Sequence, residues 1–482
     1  MVEMRAANKG LIYGMRWMAL GLVLMMASCK VGPKYKGEEL TLPTEFADAD
    51  SLLTLRTDSL PEFMVDGPGW WTLVPDPTLD SLVRRALEYN QNIDIAAQNI
   101  VQARSLLGIS KADLLPKFSY GLNAQSGNLL GGAALPEAQQ LYLGYGAVNW
   151  EIDLWGKLRR RNESGMAELQ ASEFGYRSLQ LGLVTEVMDA YFTLLQSRAQ
   201  LEVAKRNAAL RDSMQGIIQS RFDKGIVAEI DLDQAKIQQA IAAGAVPIYE
   251  RAAIKANNAL CVLTGSFPRP LPERTTLDEI NTQAVLPDRV PLELLNRRPD
   301  LAQRERRYAS ANAQVGAAQG QRLPTLSLGG TLGIGTNDLS DLDFSDPLWN
   351  VSAGLVGPLF YFNQLKRQVD IERSQAEQAR LDYQLGVFNA LREVEDLKAE
   401  LRTLDEQLAI VNRRVEAALH AQFLSQRRYD QGVTSYLEYL ESQRQAFDAE
   451  LEQQQVKAQR LKAYVNLYKA LGGGWLDESE GR

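Results

Sequence analysis

The stretch DLLPKFSYGL, Asp113–Leu122, returns 208 residues later as QRLPTLSLGG, Gln321–Gly330. Two further pairs keep almost the same offset: RFDKG at 221–225 returns as RYDQG at 428–432, and VLTG at 262–265 returns as ALGG at 470–473. Self-similarity at a fixed spacing indicates duplication. A period of about 200 residues is too long for a solenoid unit, so we predict two tandem copies of a whole domain.

Each copy shows the same predicted order of elements. A helix of about twenty residues ends at a Leu-Pro pair, and two strands, a very long helix, a short turn and another long helix follow. Pro116 and Pro324 each stop their helix and lead into a strand. The predicted boundaries are a signal peptide at 1–28, an extended anchor segment at 29–75, a first repeat at 76–270, a linker at 271–290, a second repeat at 291–475 and a tail at 476–482.

Four segments alternate apolar residues with small or polar ones, as a β-strand does. They are FSYGLNAQ from Phe118, LYLGYGAVNWEIDL from Leu141, TLSLGGTLGIGT from Thr325 and WNVSAGL from Trp349. The alternation of the second segment shifts by one residue near Trp150, which indicates either a bulge or a second environment. One apolar face over about ten residues is typical of membrane-barrel strands, but a soluble sandwich with one hydrated face gives the same pattern.

Residues 160–222 and 364–429 contain no proline and predict two very long helices. About 65 residues correspond to a rod of roughly 100 Å. Apolar residues step by three and four along both rods: Leu181, Val184, Met188, Tyr191 and Leu195 in the first, and Val394, Leu397, Leu401, Leu404, Leu408, Val411, Val415 and Ala418 in the second. This period of 3.5 predicts supercoiled packing against neighbouring helices rather than a compact core.

Four strands are too few to close a barrel. An open sheet edge in lipid leaves backbone groups unpaired, at several kcal/mol each. Strands placed in a membrane would therefore require several chains to share one barrel, and three chains would supply twelve strands.

The N-terminal 28 residues have the pattern of an export signal. A positively charged start (Arg5, Lys9 and Arg16) precedes eleven apolar residues, Trp17–Ala27, which are too few to span a membrane. Ala27 and Ser28 then lead directly into Cys29. This arrangement resembles a bacterial lipobox, with Met26 at the usual leucine position, so we predict a covalent lipid on Cys29. A disulfide with Cys261, the other cysteine, is not expected.

Composition and motifs exclude several classes of function. The net charge of −8 gives no basic footprint for nucleic acid. The single histidine, His420, lies in the heptad helix, and no nucleophile elbow or metal pair accompanies it, so we predict neither an enzyme nor a cofactor or metal site. Four aspartates that lack the glycine and glutamate of a calcium loop are interpreted as a solvated loop: Asp338, Asp341, Asp343 and Asp346.

Four motifs, in order, resemble those of the TolC-like outer membrane factors, specifically the lipoprotein (OprM/NodT-like) type of RND efflux systems. They are CKVGPKY at 29–35, WEIDLWGKLRR at 150–160, NRRPDLAQRE at 296–305 and KALGGGW at 469–475. The resemblance covers essentially the whole mature chain. Each motif is weak alone, but four in the right order within a duplicated frame make a specific match.

The resemblance implies a mostly α fold with β, in which a homotrimer shares a twelve-stranded membrane β-barrel that continues into a long coiled-coil α-helical barrel. It implies a lipid-anchored protein of the bacterial outer membrane whose tunnel extends into the periplasm. The implied function is a passive exit channel of a tripartite efflux system, energised by an inner-membrane RND pump through a periplasmic adaptor (membrane fusion) protein. The exit duct of a type I protein secretion system is the alternative.

The resemblance also implies roles at the two helical turns, which form the periplasmic tip and gate in the family. The matching residues are Arg221, Gly225, Asp231, Tyr429, Gly432, Glu438 and Glu441. Glu438 and Glu441 would face the pore as carboxylate rings that raise one another's pKa and bind cations, or else they are solvated residues three apart on a helix. Thr434 stands where TolC has a gating arginine, so the closed state must be held differently.

Overall fold

The computed structural model describes residues 30–37, 70–130, 133–272, 274–280, 297–341 and 343–473. Cys29, the predicted signal peptide and the predicted tail lie outside these residues. The first copy comprises helices α1 (Pro77–Tyr89) and α2 (Gln91–Ala112), strands β1 (Lys117–Leu130) and β2 (Ala133–Ile152), and helices α3 (Lys157–Asp223) and α4 (Glu229–Leu263). The second comprises α5 (Pro299–Gly320), β3 (Thr325–Thr336), β4 (Leu348–Val356), α6 (Gln364–Asp430) and α7 (Tyr436–Ala470).

The two predicted long helices, α3 and α6, are confirmed, and each has 67 residues. The predicted twenty-residue helices correspond to α2 and α5, which both have 22 residues and end four residues before Pro116 and Pro324. Helix α1 was not predicted as a separate element. It begins where the Asp76 carboxylate accepts a hydrogen bond from the backbone N–H of Thr78 at 2.7 Å.

The four strands form one antiparallel sheet in the order β1-β2-β3-β4, so β1 and β4 are its edges. Pairing of β2 with β3 runs without interruption from Tyr142 to Ile152, so a bulge at Trp150 is excluded. A second environment explains the shifted alternation, because the Trp150 indole donates a hydrogen bond to the carbonyl of Leu114 at 3.0 Å. The register shift of the sheet lies instead between Gly127 and Leu129.

The described chain divides into two compact units. One contains the sheet with its adjoining helical segments, Gln98–Phe174 and Gln303–Leu385, together with residues 30–37. The other contains 70–97, Gly175–Ala302 and 386–473. None of the helices in the described part of the chain combines the length and apolar character that crossing a membrane requires.

The predicted heptad residues form the core of the helical unit. All five of the first rod are buried in one cluster with α1 and α7. The heptad residues of the second rod divide between two clusters. Val394 belongs to the cluster just described, whereas Leu404, Val411 and Val415 belong to a second cluster along α6 and α7. Because both rods bury the predicted stripe, the interpretation of the 3.5 period as a packing seam is confirmed.

Phe192 lies in the middle of the first cluster and is fully buried. We expect Phe192→Ala to lower the free energy of unfolding by about 3–5 kcal/mol, because it leaves a cavity where the ring was. The apparent melting temperature of the detergent-solubilised protein measures this change. Ser213→Ala on the exposed side of the same helix is the control. Equal melting temperatures for the two variants would contradict this packing.

Candidate functional site

Residues 30–37 are the described start of the predicted anchor segment, and the name refers to these residues from here on. They are held against the start of α3 by one buried arginine. The Arg160 side chain is 1% exposed, and it donates from Nε to the carbonyl of Val31 at 3.1 Å and from Nη2 to that of Gly32 at 2.9 Å. Its charge is balanced by Glu163, which also pairs with Lys30. Burial alone would raise the pKa of Glu163, but the two cations lower it overall. A buried guanidinium with these partners ties the anchor segment to the helix.

The structure also explains the residue types at two more positions of the CKVGPKY motif, Gly32 and Tyr35. Gly32 has a φ of 106°, and a Cβ there would lie 2.4 Å from the Cα of Gly316, so no other residue fits. Tyr35 donates its hydroxyl hydrogen to Glu305 at 2.9 Å and sits edge-on to Tyr308, with 5.3 Å between ring centroids. Burial, together with the Glu305 carboxylate, raises the pKa of Tyr35. Gly32 and Tyr35 therefore hold the segment that follows Cys29 against helix α5.

The Arg-Arg-Pro-Asp motif joins three parts of the helical unit. Arg298 is buried and donates to the carbonyl of Ala470, the last residue of α7, at 3.0 Å. It forms ion pairs with Asp300 and with Glu393 on α6, both at 2.9 Å. Although burial opposes the charged form, these two carboxylates raise the pKa of Arg298 overall. This motif and the closing Ala-Leu-Gly-Gly motif are thus two sides of one contact.

The first copy makes the equivalent contact with a neutral side chain. Asn90, which corresponds to Arg298 at an offset of 208, donates from Nδ2 to the carbonyl of Leu263 at 2.8 Å. Leu263 is the last residue of α4, just as Ala470 is the last residue of α7. The contact from the start of the 22-residue helix to the end of the second long helix is therefore repeated, although the donor differs.

The α3–α4 turn and the α6–α7 turn, here called the hairpin tips (221–231 and 428–441), have the same backbone. Gly225 and Gly432 have φ values of 70° and 73°. The N–H of the next residue donates to a carbonyl five residues back in both: Ile226 to Arg221 and Val433 to Arg428, each at 2.9 Å. The two glycines named in the sequence therefore close equivalent helix ends.

The structure brings together predicted tip residues from both copies. The guanidinium of Arg221 lies over the ring of Tyr429, 5.0 Å from its centroid. Tyr429 also contacts Tyr436 and Tyr439 from the start of α7, with centroids 5.5 and 5.9 Å away. Burial raises the pKa of Tyr436 to about 12. Tyr436 and Tyr439 were not identified from sequence, although their spacing of three on a helix was a usable signal.

The two predicted carboxylates are already paired within the chain. Glu438 accepts hydrogen bonds from Arg428 at 2.9 Å and from the hydroxyl of Thr434. Glu441 pairs with Arg444 one turn further along α7, and this bond lowers its pKa to about 2. Thr434, which stands where TolC has its gating arginine, therefore donates its hydroxyl hydrogen to Glu438. Asp231 lies in the first turn of α4, and its negative charge acts on Tyr429.

A buried arginine near the tips was not identified from sequence. Arg211 on α3 is 4% exposed, its Nη1 has no hydrogen-bond partner, and burial lowers its pKa. A buried guanidinium with an unsatisfied donor is destabilising, so Arg211 weakens the packing near the tips in the single chain.

We expect Arg160→Lys to release the anchor segment. A lysine cannot reproduce the two donors that hold the carbonyls of Val31 and Gly32, and each hydrogen bond to a charged group contributes about 1.5–3 kcal/mol. Trypsin cleavage at the exposed Lys34 and Lys36 should therefore become about tenfold faster or more. Arg161→Lys, at the exposed neighbouring position, is the matched control. Similar cleavage rates in the two variants would show that Arg160 does not hold the segment.

Comparisons with known proteins agree with this architecture. Residues 82–266 and 290–473 both match the family described as outer membrane efflux protein. The chain is 30% identical over 421 residues to the pyoverdine export outer membrane protein OpmQ of Pseudomonas putida, covering 86% of this chain and 89% of that one. It is 27% identical over 457 residues to the cation efflux system protein CusC of Escherichia coli, covering 94% and 97%. The solved structure of the outer-membrane channel OprN is 27% identical, with a TM-score of 0.82 over 93% of this chain and 100% of that chain. The chain belongs to the outer membrane efflux protein family.

Proposed function

We propose that this outer membrane efflux protein works as the exit channel of a tripartite efflux system, built from three copies of the chain. The observation that carries the proposal is the four-stranded sheet, which has unpaired edges at β1 and β4 and an exposed apolar face. Such a sheet is incomplete in one chain, because the N–H and C=O groups along its edges need partners in lipid.

The exposed face of the sheet has the chemistry of a lipid contact. Its large side chains are mostly exposed in the single chain: Phe118, Tyr120 and Leu122 on β1, and Trp349, Val351 and Leu355 on β4. Burying this apolar area in lipid is favourable, whereas water would penalise it. Three chains together supply twelve strands, which form one closed barrel in the outer membrane.

The helices supply the periplasmic tunnel of the proposal. Helices α3 and α6, each of 67 residues, correspond to roughly 100 Å of rise. Helix α4 leaves a stripe of isoleucines exposed: Ile230, Ile237, Ile241 and Ile248. Their spacing of seven, four and seven is that of a packing seam, and neighbouring subunits cover it in the trimer.

The anchor segment places a second membrane attachment on each chain. Arg160 fixes the backbone of Val31 and Gly32, so a lipid on Cys29 would be tethered a few residues from a rigid helix. One acyl group alone gives limited membrane affinity, and the barrel supplies the remainder. The covalent lipid is the only added group in the proposal, which includes no cofactor.

Transport through the channel is passive in this proposal. An inner-membrane RND pump supplies energy, and a periplasmic adaptor joins it to the hairpin tips. One relative is named for pyoverdine export and another for cation efflux, so a shared fold accompanies different cargo, and we assign the choice of cargo to the pump. The efflux and export names of these relatives favour this role over a protein-secretion duct.

Native mass spectrometry of the detergent-extracted protein tests the assembly. The expected result is a trimer whose subunits begin at Cys29 and carry acyl mass there. The same preparation in planar bilayers should conduct ions with no nucleotide and no proton gradient. A monomer without lipid that does not conduct would refute the proposal.

The proposed gate is the contact between the two hairpin tips. Opening moves the second hairpin away from the first, so it separates Arg221 from Tyr429. Arg221→Leu should therefore raise the open probability in planar bilayers about two- to tenfold, since a cation–π contact contributes about 0.5–1 kcal/mol or more.

A matched control lies on helix α6. Arg427 makes the same kind of contact with Phe423, at 5.2 Å, but both residues belong to one helix. Arg427→Leu should leave the open probability unchanged. An equal effect of the two substitutions would show that charge loss at the tip, and not the contact between hairpins, controls the gate.

A further inference from the structure

The two hairpins of the sheet have identical register. In the first, Lys117 pairs with Asn149, and in the second, Thr325 pairs with Val356. Residues of β1 correspond to those of β3 at an offset of 208, and residues of β2 correspond to those of β4 at an offset of 207. Lys117 and Asn149 therefore correspond to Thr325 and Val356, which form a pair themselves. The duplication is therefore preserved residue by residue in the hydrogen-bonded ladders.

The remaining ladder, β2 with β3, joins the two copies within one chain. It pairs Val148 with Gly330 and Ile152 with Leu326. In a closed trimer, β4 of one chain meets β1 of the next, which is again a second strand of one copy against a first strand of another. The junction inside the chain is thus a template for the junction between chains.

We infer that β4 pairs antiparallel with β1 of the next subunit in the register set by this template, an inference that rests on the proposed trimer. The same offsets convert Val148 and Gly330 into Leu355 opposite Leu122 of the next subunit. Every other pair follows from that one, including Val351 opposite Ser126 and Leu359 opposite Phe118.

The faces of the two edge strands support this register independently. Leu355 and Leu122 are both exposed on the apolar face of the sheet, at 63% and 82%. The inferred register keeps apolar side chains beside each other on the lipid side. A slip of one residue would set Leu355 opposite Gly121 or Asn123 and turn one strand's apolar face inward.

The segment that follows β2 and the segment that follows β4 also correspond to each other. In the first copy, Trp155 covers the start of β3 and donates from Nε1 to the carbonyl of Pro324 at 2.7 Å. Its counterpart in the second copy, at an offset of 207, is Phe362, whose side chain is 95% exposed in the single chain. The inferred register places Phe362 over Pro116 of the next subunit. Phenylalanine has no N–H to donate, so this contact is apolar.

Cysteine pairs in the full-length lipoprotein test the register. Leu355→Cys combined with Leu122→Cys should form covalent dimers and trimers on oxidation, because directly opposed residues lie within disulfide range. The slipped pairs, Leu355→Cys with Tyr120→Cys or with Ala124→Cys, should cross-link about tenfold less, since diagonal neighbours are about 7–8 Å apart. The parent protein is the blank, because Cys261 is buried.

Two further pairs sharpen the result. Val148→Cys with Gly330→Cys occupies the template position, so it should cross-link within one chain and give no ladder of oligomers. Phe362→Cys with Pro116→Cys should give a ladder when treated with a short bifunctional thiol reagent. A Phe362→Cys label that is quenched by brominated lipid, with no cross-link, would assign this side chain to the membrane and overturn the contact with Pro116.

The possible failures are distinguishable. A native-mass trimer in which a slipped pair gives the stronger ladder would overturn the inferred register and leave the exit-channel proposal intact. A native-mass monomer would refute the trimer on which both rest.

Discussion

The backbone hydrogen bonds along the sheet edges are the constraint on which the rest of the structure depends. Four strands with free edges at β1 and β4 cannot remain alone in lipid, where each unpaired N–H or C=O costs several kcal/mol. Duplication supplies the means of closure, because each copy presents a first strand and a second strand that fit any other copy. A chain that pairs β2 with β3 internally has already made the contact that its edges need.

The copies differ where the anchor segment lies. Arg160 and Glu163 form an ion pair at the start of α3, and their counterparts at an offset of 207, Arg367 and Asp370, form the same pair on α6. Arg160 is buried because the anchor segment covers it, whereas the Arg367 side chain is 76% exposed. The second copy has no segment to hold at this position in the described chain. The same ion pair is thus buried or exposed according to whether a segment of the chain covers it.

Much of this fold could be predicted from the sequence, because strands and coiled coils have short periods. The alternation from Thr325 and the heptads through Val394 identified their elements within a few residues. Contacts between distant segments carried no such signal. Arg298 and Ala470 are far apart in the chain, and only packing shows that two separate motifs make one hydrogen bond. The shift at Trp150 was ambiguous for the same reason, since its partner is a carbonyl outside the strand.

The tips show how the roles of charged residues depend on partners that sequence does not reveal. Glu438 and Glu441 suggested rings of mutually repelling carboxylates, yet in the single chain each is paired with an arginine of its own hairpin. Such pairing removes much of the repulsion that would otherwise force three copies apart. Contact between the two hairpins instead involves the ring of Tyr429, over which the Arg221 guanidinium lies. In the single chain, the copies therefore meet at the tips through the Arg221 guanidinium on the Tyr429 ring and through an apolar cluster that includes Met214 and Ile218. The ion pairs, by contrast, join residues of one hairpin.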